Sequence, residues 1–372
     1  MSGAVRGARR KAARSAWPWD DRAGRFSWLK AAALLGEAAP GLYLAWGWAA
    51  GALGPRPVTE AIHATGLMAI RFLLLSLAVS PARALFGWQR LALVRRQLGL
   101  AALFYALAHL SLYALDQKWA LLHVASEIAL RFYLTIGFVA LCGLAALGAT
   151  STDGMVRRMG RRWKALHRLA YLIAGLGTFH FFLQSKSDVS EATLMAGMFL
   201  WLMAWRALPA GADRAPLPVL GLAGAAALGT VAAEFAWFAL ATHIDPARPV
   251  LMELDWTYGP HPAGQALLLG LCLAVGTALS WARQRERLRG TLGYDVALYA
   301  GGALIVAGVA YAFALTDAWL PDDWPAWQAA GAFMLAAGAL GVGRWALPPA
   351  RRLIDVVCAA CLLGPLVAGL AL

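Results

Sequence analysis

Apolar runs of membrane-spanning length recur from one end of this sequence to the other. A bilayer core about 30 Å thick needs roughly 20 apolar residues per helix. By that measure eleven spans are expected, at about 29–53, 63–80, 98–116, 132–149, 166–184, 192–208, 217–241, 263–283, 294–316, 326–345 and 352–371. Barrel strands would alternate apolar and polar residues, and these runs do not. Composition agrees: 60% of the 372 residues are hydrophobic and 14% are charged. That is too little charge to cover a soluble fold of this size. The expected class is all-α, a polytopic membrane helical bundle solvated mainly by lipid.

The net charge of +13 sorts by side of the membrane. With the N-terminus inside, 27 of the 33 Lys and Arg fall in inner segments. Among them are Arg83, Arg90, Arg95 and Arg96, and the run Arg157, Arg158, Arg161, Arg162 and Lys164. Outer connections keep Arg56, Lys118, Arg131, Lys186 and Arg248, while Arg71 lies inside the second span. This is the positive-inside distribution. The charge excess therefore reports topology, and no nucleic-acid partner is expected. The basic tail 1–25 is placed in the cytoplasm, and an odd number of spans puts the C-terminus in the periplasm. No small-residue cleavage site follows the basic start, so the first run reads as a retained span.

Ionisable groups inside hydrocarbon are costly and usually have a task. Of the seven histidines, His123, His243 and His261 fall in outer loops, and His63 opens the second span near its outer edge. His109 and His180 lie deeper. His109 is 13 residues past Arg96, about 20 Å into the membrane at 1.5 Å per residue, and His180 is 12 residues past Arg168, about 18 Å in. The third and fifth spans run in the same direction, so the two imidazoles share one level in the outer half. Two imidazoles at one level on separate helices can each offer a nitrogen to a haem iron. Two unrelated histidines bonded to neighbouring helices fit the spacing equally well.

His167 lies only ~5 Å from the inner edge. Its spacing of 13 residues from His180 misses facial alignment by roughly 140°, which a bend at Gly175 or Gly177 would relax. It could serve a second haem with a non-His partner, orient a propionate or approach another cofactor; an interfacial structural role is the alternative. Tyr105 and Tyr113 flank His109 at helical spacing, as bundle packing or as a cofactor wall. The Arg-rich stretch 155–168 suits phosphate or propionate binding as well as it suits a topology anchor. Arg71 calls for a partner or a quinone-type ligand, or else snorkels. Glu37 and Glu234 are the carboxylates deep in spans, too few for a proton relay. Cys358 and Cys361 have redox spacing but sit in an apolar helix, where small-residue packing explains them. No Walker loop, dinucleotide fingerprint or zinc signature is present. Any electron donor and acceptor must therefore be other molecules.

Residues about 26–208 contain a series of stretches in a distinctive order. Trp28-Leu29-Lys30 opens the first span. His63-Ala64-Thr65-Gly66 and Arg71-Phe72 lead to Pro81, then Arg95-Arg96-Gln97-Leu98-Gly99, Phe104-Tyr105-Ala106 and His109. Arg131-Phe132-Tyr133-Leu134-Thr135-Ile136-Gly137 follows, then Thr150-Ser151-Thr152, Arg158-Met159-Gly160-Arg161-Arg162-Trp163, Leu166-His167-Arg168 and Tyr171, with His180 and Lys186 last. In order and spacing the chain resembles the haem-binding membrane subunit of the periplasmic protein-methionine-sulfoxide reductase system (the MsrQ or YedZ family), within the ferric-reductase-like transmembrane group.

The resemblance implies a b-type haem in a six-helix unit over 26–210, with His109, His167 and His180 as the haem-associated histidines. It implies electrons drawn from the quinone pool, an associated FMN, and a soluble periplasmic molybdopterin subunit that reduces methionine sulfoxide in proteins. It places the chain in the inner membrane as an electron-transfer subunit. Two features depart from the family. Its Arg-Pro-Tyr stretch reads Arg131-Phe132-Tyr133 here, and residues 211–372 add about five further spans of no assigned role. A transmembrane ferric reductase of the same fold, and a non-redox transporter or scaffold, are the rival readings.

Overall fold

The structure is a computed structural model that describes residues 17–20, 24–185, 188–255, 260–283, 296, 301–302 and 340. Every regular element among the described residues is helical, apart from an isolated bridge between Asp20 and Phe26. The helices are α1 (Trp28–Ala49), α2 (Pro57–Phe86), α3 (Arg95–Asp116), α4 (Leu121–Leu130), α5 (Phe132–Ala149), α6 (Asp153–Met159), α7 (Arg161–His167) and α8 (Leu169–Gln184). They continue with α9 (Ser190–Ala207), α10 (Pro216–Ala241), α11 (Ala247–Met252) and α12 (Pro262–Arg283).

The sequence punctuates these helices in ways the backbone requires. Proline opens α2 and α10, where its missing N–H costs nothing. Gly87 ends α2 in the left-handed region at φ 67°, a conformation that carries no penalty without a Cβ. Thr152 caps α6 by accepting from the Met155 N–H at 3.3 Å. Gly160, at φ 54° and ψ −120°, turns α6 into α7.

Six segments are long and apolar enough to cross a membrane: α2, α3, α5, α7 with α8 together, α10 and α12. The protein is thus a multi-pass membrane protein. α1 and α9 occupy the first and sixth expected spans at 22 and 18 residues, but are less apolar. Glu37 and Pro40 break the apolar run within α1, and Glu191 and Arg206 bracket α9. The expected spans at 294–316, 326–345 and 352–371 lie outside the described residues.

The bundle is assembled from helix pairs. α2 packs chiefly on α3, α5 on α8, and α10 on α12, while α9 touches α2, α8, α10 and α12 and ties the pairs together. With no hydrophobic gain between helices in lipid, close approach rests on small side chains. Gly143 admits Ile173, Gly148 admits Leu103, and Gly270 lies against Ala223. One apolar core runs from Ile70, Leu74 and Leu77 through Ala102, Ala174, Leu194 and Met195 to Ala266 and Ala274. It therefore crosses the position near 210 where the sequence changes character. Arg206 helps close that junction. Its guanidinium donates to the carbonyl of Leu77 at 2.7 Å and lies 5.0 Å from the Tyr171 ring centroid.

Candidate functional site

His109 on α3 and His180 on α8 belong to different helix pairs, and their rings stand together between them. The ring centroids are 6.4 Å apart and the planes cross at 84°. Each ring is anchored by the companion helix of its own pair. His109 Nδ1 donates to the carbonyl of Ile62 on α2 at 2.8 Å, and His180 Nδ1 donates to the carbonyl of Tyr133 on α5 at 2.8 Å. A carbonyl oxygen can only accept, so Nδ1 carries the hydrogen in both rings. In the neutral imidazole that leaves Nε2 with a bare lone pair, the form that ligates metals.

Room for each ring comes from a glycine one turn beyond the anchoring carbonyl. A Cβ on Gly66 would lie 2.9 Å from His109 Nδ1, and one on Gly137 would lie 2.7 Å from both Nδ1 and Cε1 of His180. Packed carbon atoms do not approach that closely, so any other residue would displace the ring. The two half-sites are copies in register. In each, the carbonyl precedes the histidine by 47 residues and the glycine follows the carbonyl by four. One constant shift along the chain carries Ile62, Gly66 and His109 onto Tyr133, Gly137 and His180. The same shift carries Arg96 onto His167.

His167 is held apart from this pair. Thirteen residues before His180, it lies about 20 Å away along a helix axis. It closes α7, and the boundary with α8 falls at Arg168, whose dihedrals of φ −69° and ψ −21° stay helical, so α7 runs on into α8. Its ring stacks on Trp163 with centroids 3.9 Å apart and planes at 24°. Its Nε2 lies 3.2 Å from Thr150 Oγ1, and Trp163 Nε1 donates to the Thr150 carbonyl at 2.9 Å. The imidazole is built into the turn that joins α5 to α6.

The remaining sequence candidates find separate places. Tyr105 stacks on Phe72 at 5.3 Å and donates from its hydroxyl to the Glu37 carbonyl at 2.9 Å, so it joins α3 to α1 and α2. Arg71 pairs with Glu191 of α9 at 3.1 Å, and Arg96 with Asp153 of α6 at 2.8 Å. Arg158, Arg161 and Arg162 line an open depression where Gly160 turns. His63, His123 and His243 are exposed.

Composition and depth pointed to the two histidines but not to Gly66, Gly137 or the carbonyls of Ile62 and Tyr133. The signal available was the shared spacing of carbonyl, glycine and histidine in the two halves. Chemically, the site offers two neutral imidazole nitrogens to one acceptor. A metal sits about 2 Å from an imidazole nitrogen and about 1 Å more from the ring centre, so two rings sharing one metal on a line stand about 6 Å apart. Among the described residues no group of three His, Cys, Asp or Glu side chains could hold a bare metal ion.

Known proteins supply the remaining evidence. Residues 65–178 match the family model described as ferric reductase like transmembrane component. The chain is 45% identical over 163 residues to the protein-methionine-sulfoxide reductase heme-binding subunit MsrQ of Xanthomonas oryzae pv. oryzae (strain MAFF 311018), covering 44% of this chain and 75% of the relative. It is 42% identical over 170 residues to the protein of the same name from Deinococcus radiodurans, covering 45% of this chain and 84% of the relative. The corresponding protein of Xanthomonas campestris pv. campestris (strain 8004) is 46% identical over 156 residues, 42% of this chain and 72% of the relative. No solved structure matches the chain. At such identity over most of each relative's length, the chain belongs to the MsrQ family of protein-methionine-sulfoxide reductase heme-binding subunits.

Proposed function

We propose that the chain is a membrane b-type cytochrome in which His109 and His180 are the two axial ligands of one haem. The observation that carries this reading is the pair of imidazoles 6.4 Å apart, each tied through Nδ1 to a backbone carbonyl. Two protein donors are too few for a bare ion but are what haem iron leaves open. Haem, when bound, supplies a one-electron carrier inside the low-dielectric bundle.

The chain's own residues do the rest. The carbonyls of Ile62 and Tyr133 fix the tautomer and orientation of the rings and strengthen them as ligands. Gly66 and Gly137 keep the space into which the rings turn. Two helix pairs, joined to one another less tightly than each is within itself, form the walls of the site. His167, about 20 Å along the helix from His180, acts as a polar anchor of the inner turn and not as a third ligand to the same iron. Residues 26–210 form the cytochrome unit, and the described helices α10 and α12 pack against its α9.

The relatives are named as heme-binding subunits of protein-methionine-sulfoxide reductase. On the proposed reading, electrons pass from the quinone pool, directly or through a flavin, to a periplasmic molybdopterin subunit that repairs oxidised protein methionines. The positive-inside charge distribution supports an inner-membrane chain with its N-terminus in the cytoplasm and the histidine pair near the periplasmic face. A second reading, direct reduction of ferric ions at that face, is favoured by the match to the ferric-reductase-like model.

Purified full-length chain, reduced anaerobically with a quinol, separates the two. Re-oxidation on adding the molybdenum subunit with methionine sulfoxide, and not on adding a ferric chelate, supports the first. The reverse pattern supports the second, and a chain that shows no haem absorption contradicts both.

A further inference from the structure

Two carboxyl groups beyond the family-matched region are buried together. Glu234 on α10 is 8% exposed, and Glu253, just after α11, is 7% exposed. Both oxygens of Glu253 accept from the Ala263 N–H, at 3.2 and 3.1 Å, in the first turn of α12. A helix start favours negative charge. Thr230 and Ala266 both pack on Gly197, so one turn on along α10 and one turn back along α12 bring Glu234 level with Ala263 and with the Glu253 carboxyl that Ala263 holds. Two carboxyls buried at one level cannot both ionise without strong repulsion, so they hold a proton between them. The backbone donor places the charge on Glu253 and the proton on Glu234.

Unpartnered polar atoms converge on the same level. Glu234 Oε2 has no hydrogen-bond partner, and neither has Oγ1 of Thr193, a residue 0% exposed. α9 and α10 pack with Gly197 against Thr230. Going one turn in opposite directions along these antiparallel helices brings Thr193 level with Glu234 on the facing sides. Trp237 Nε1, one turn further along α10, is also unpartnered. Buried polar groups of this kind are satisfied by ordered water. Trp237 in turn stands 5.8 Å from Phe182, two residues past His180, so the acid pair lies at the same end of the bundle as the histidine site.

We propose that Glu234 and Glu253, with a water held by Thr193, form a proton site that takes up one proton when an electron occupies the His109/His180 site and releases it when the electron leaves. This rests on the cytochrome reading. The electron comes from the quinol. The proton comes from water at that face and binds the Glu253 carboxylate, leaving two neutral acids; departure of the electron reverses both. In a low-dielectric interior a nearby negative charge raises the proton affinity of a carboxylate. Coupling of this kind is reciprocal, so the midpoint potential falls as pH rises. The other charged or titratable groups on the packed elements are Tyr171 and His180 on α8, and Glu191 and Arg206 on α9, with Glu191 paired with Arg71 of α2. His243, Asp245, Arg248, Asp255 and His261 lie in the α10–α12 connection, and α12 adds only the Cys272 thiol among its described side chains.

Redox-difference infrared spectroscopy and potentiometry of the full chain in lipid nanodiscs test this. A protonated-carboxyl band that rises on reduction, with a potential that falls as pH rises, is expected in the wild type. Glu234→Gln and Glu253→Gln should each abolish the band change and flatten the pH dependence while haem remains bound. Thr193→Val should shift the band. Persistence of both signals in both Gln variants would overturn the proposal. If the purified chain holds no haem, the cytochrome reading fails instead. The static infrared spectrum then decides the pair: a carboxyl band lost in Glu234→Gln upholds the shared proton, and an unchanged band refutes it.

Discussion

Gly137 and His180 approach so closely that one methyl group would separate a seated imidazole from a displaced one. A Cβ at position 137 would lie 2.7 Å from two atoms of the ring. Gly137→Ala is therefore expected to push His180 off the Tyr133 carbonyl. Disturbing such an outer hydrogen bond costs about 10–100-fold in metal affinity. Gly66→Ala should act on His109 in the same sense but less strongly, since its contact is 2.9 Å and not 2.7 Å. Haem retained per chain after gel filtration measures both, and wild-type retention in both variants would remove the glycines from the site.

The crossing of the rings at 84° has a spectroscopic consequence. Axial imidazoles at right angles leave two iron d orbitals nearly equal in energy. The oxidised protein should then give a strongly anisotropic low-spin electron paramagnetic resonance signal. A rhombic signal of ordinary spread would mean that the rings lie parallel when haem is bound.

His167→Ala should leave the haem in place. The stack on Trp163 and the contact with Thr150 together contribute on the order of 1 kcal/mol, so a modest fall in thermal stability is expected. Absorption and melting of the purified variant check this. Loss of all haem would make His167 a ligand.

Removing residues beyond about 210 should also leave haem bound, because both half-sites lie on α2, α3, α5 and α8. The cost falls on α9, which loses the cover of Thr230 over Gly197. A stable six-helix fragment that purifies without haem would show that the C-terminal helices shape the site.

Much of the fold could be read from the chain because lipid demands continuous apolar helices, and those are visible one residue at a time. The boundary of α7 and α8 at Arg168 was less visible. Gly175 and Gly177 are the weaker helix formers, yet that boundary falls just past Trp163 and His167, which the Thr150 turn holds through a tertiary contact. Counting from Arg96 and Arg168 places His109 and His180 at one level, because helical rise converts sequence into depth. The ring tautomers, by contrast, depend on the carbonyls of Ile62 and Tyr133, each 47 residues away. The pairing of Glu234 with Glu253 depends on a loop folding back on α12. Neither follows from local periodicity.

Haem stoichiometry and visible absorption of full-length protein bearing His109→Ala or His180→Ala probe the axial pair directly. One low-spin haem per wild-type chain, and none in either variant, is the expected result. Stoichiometric haem with an unchanged low-spin spectrum in either variant would contradict it.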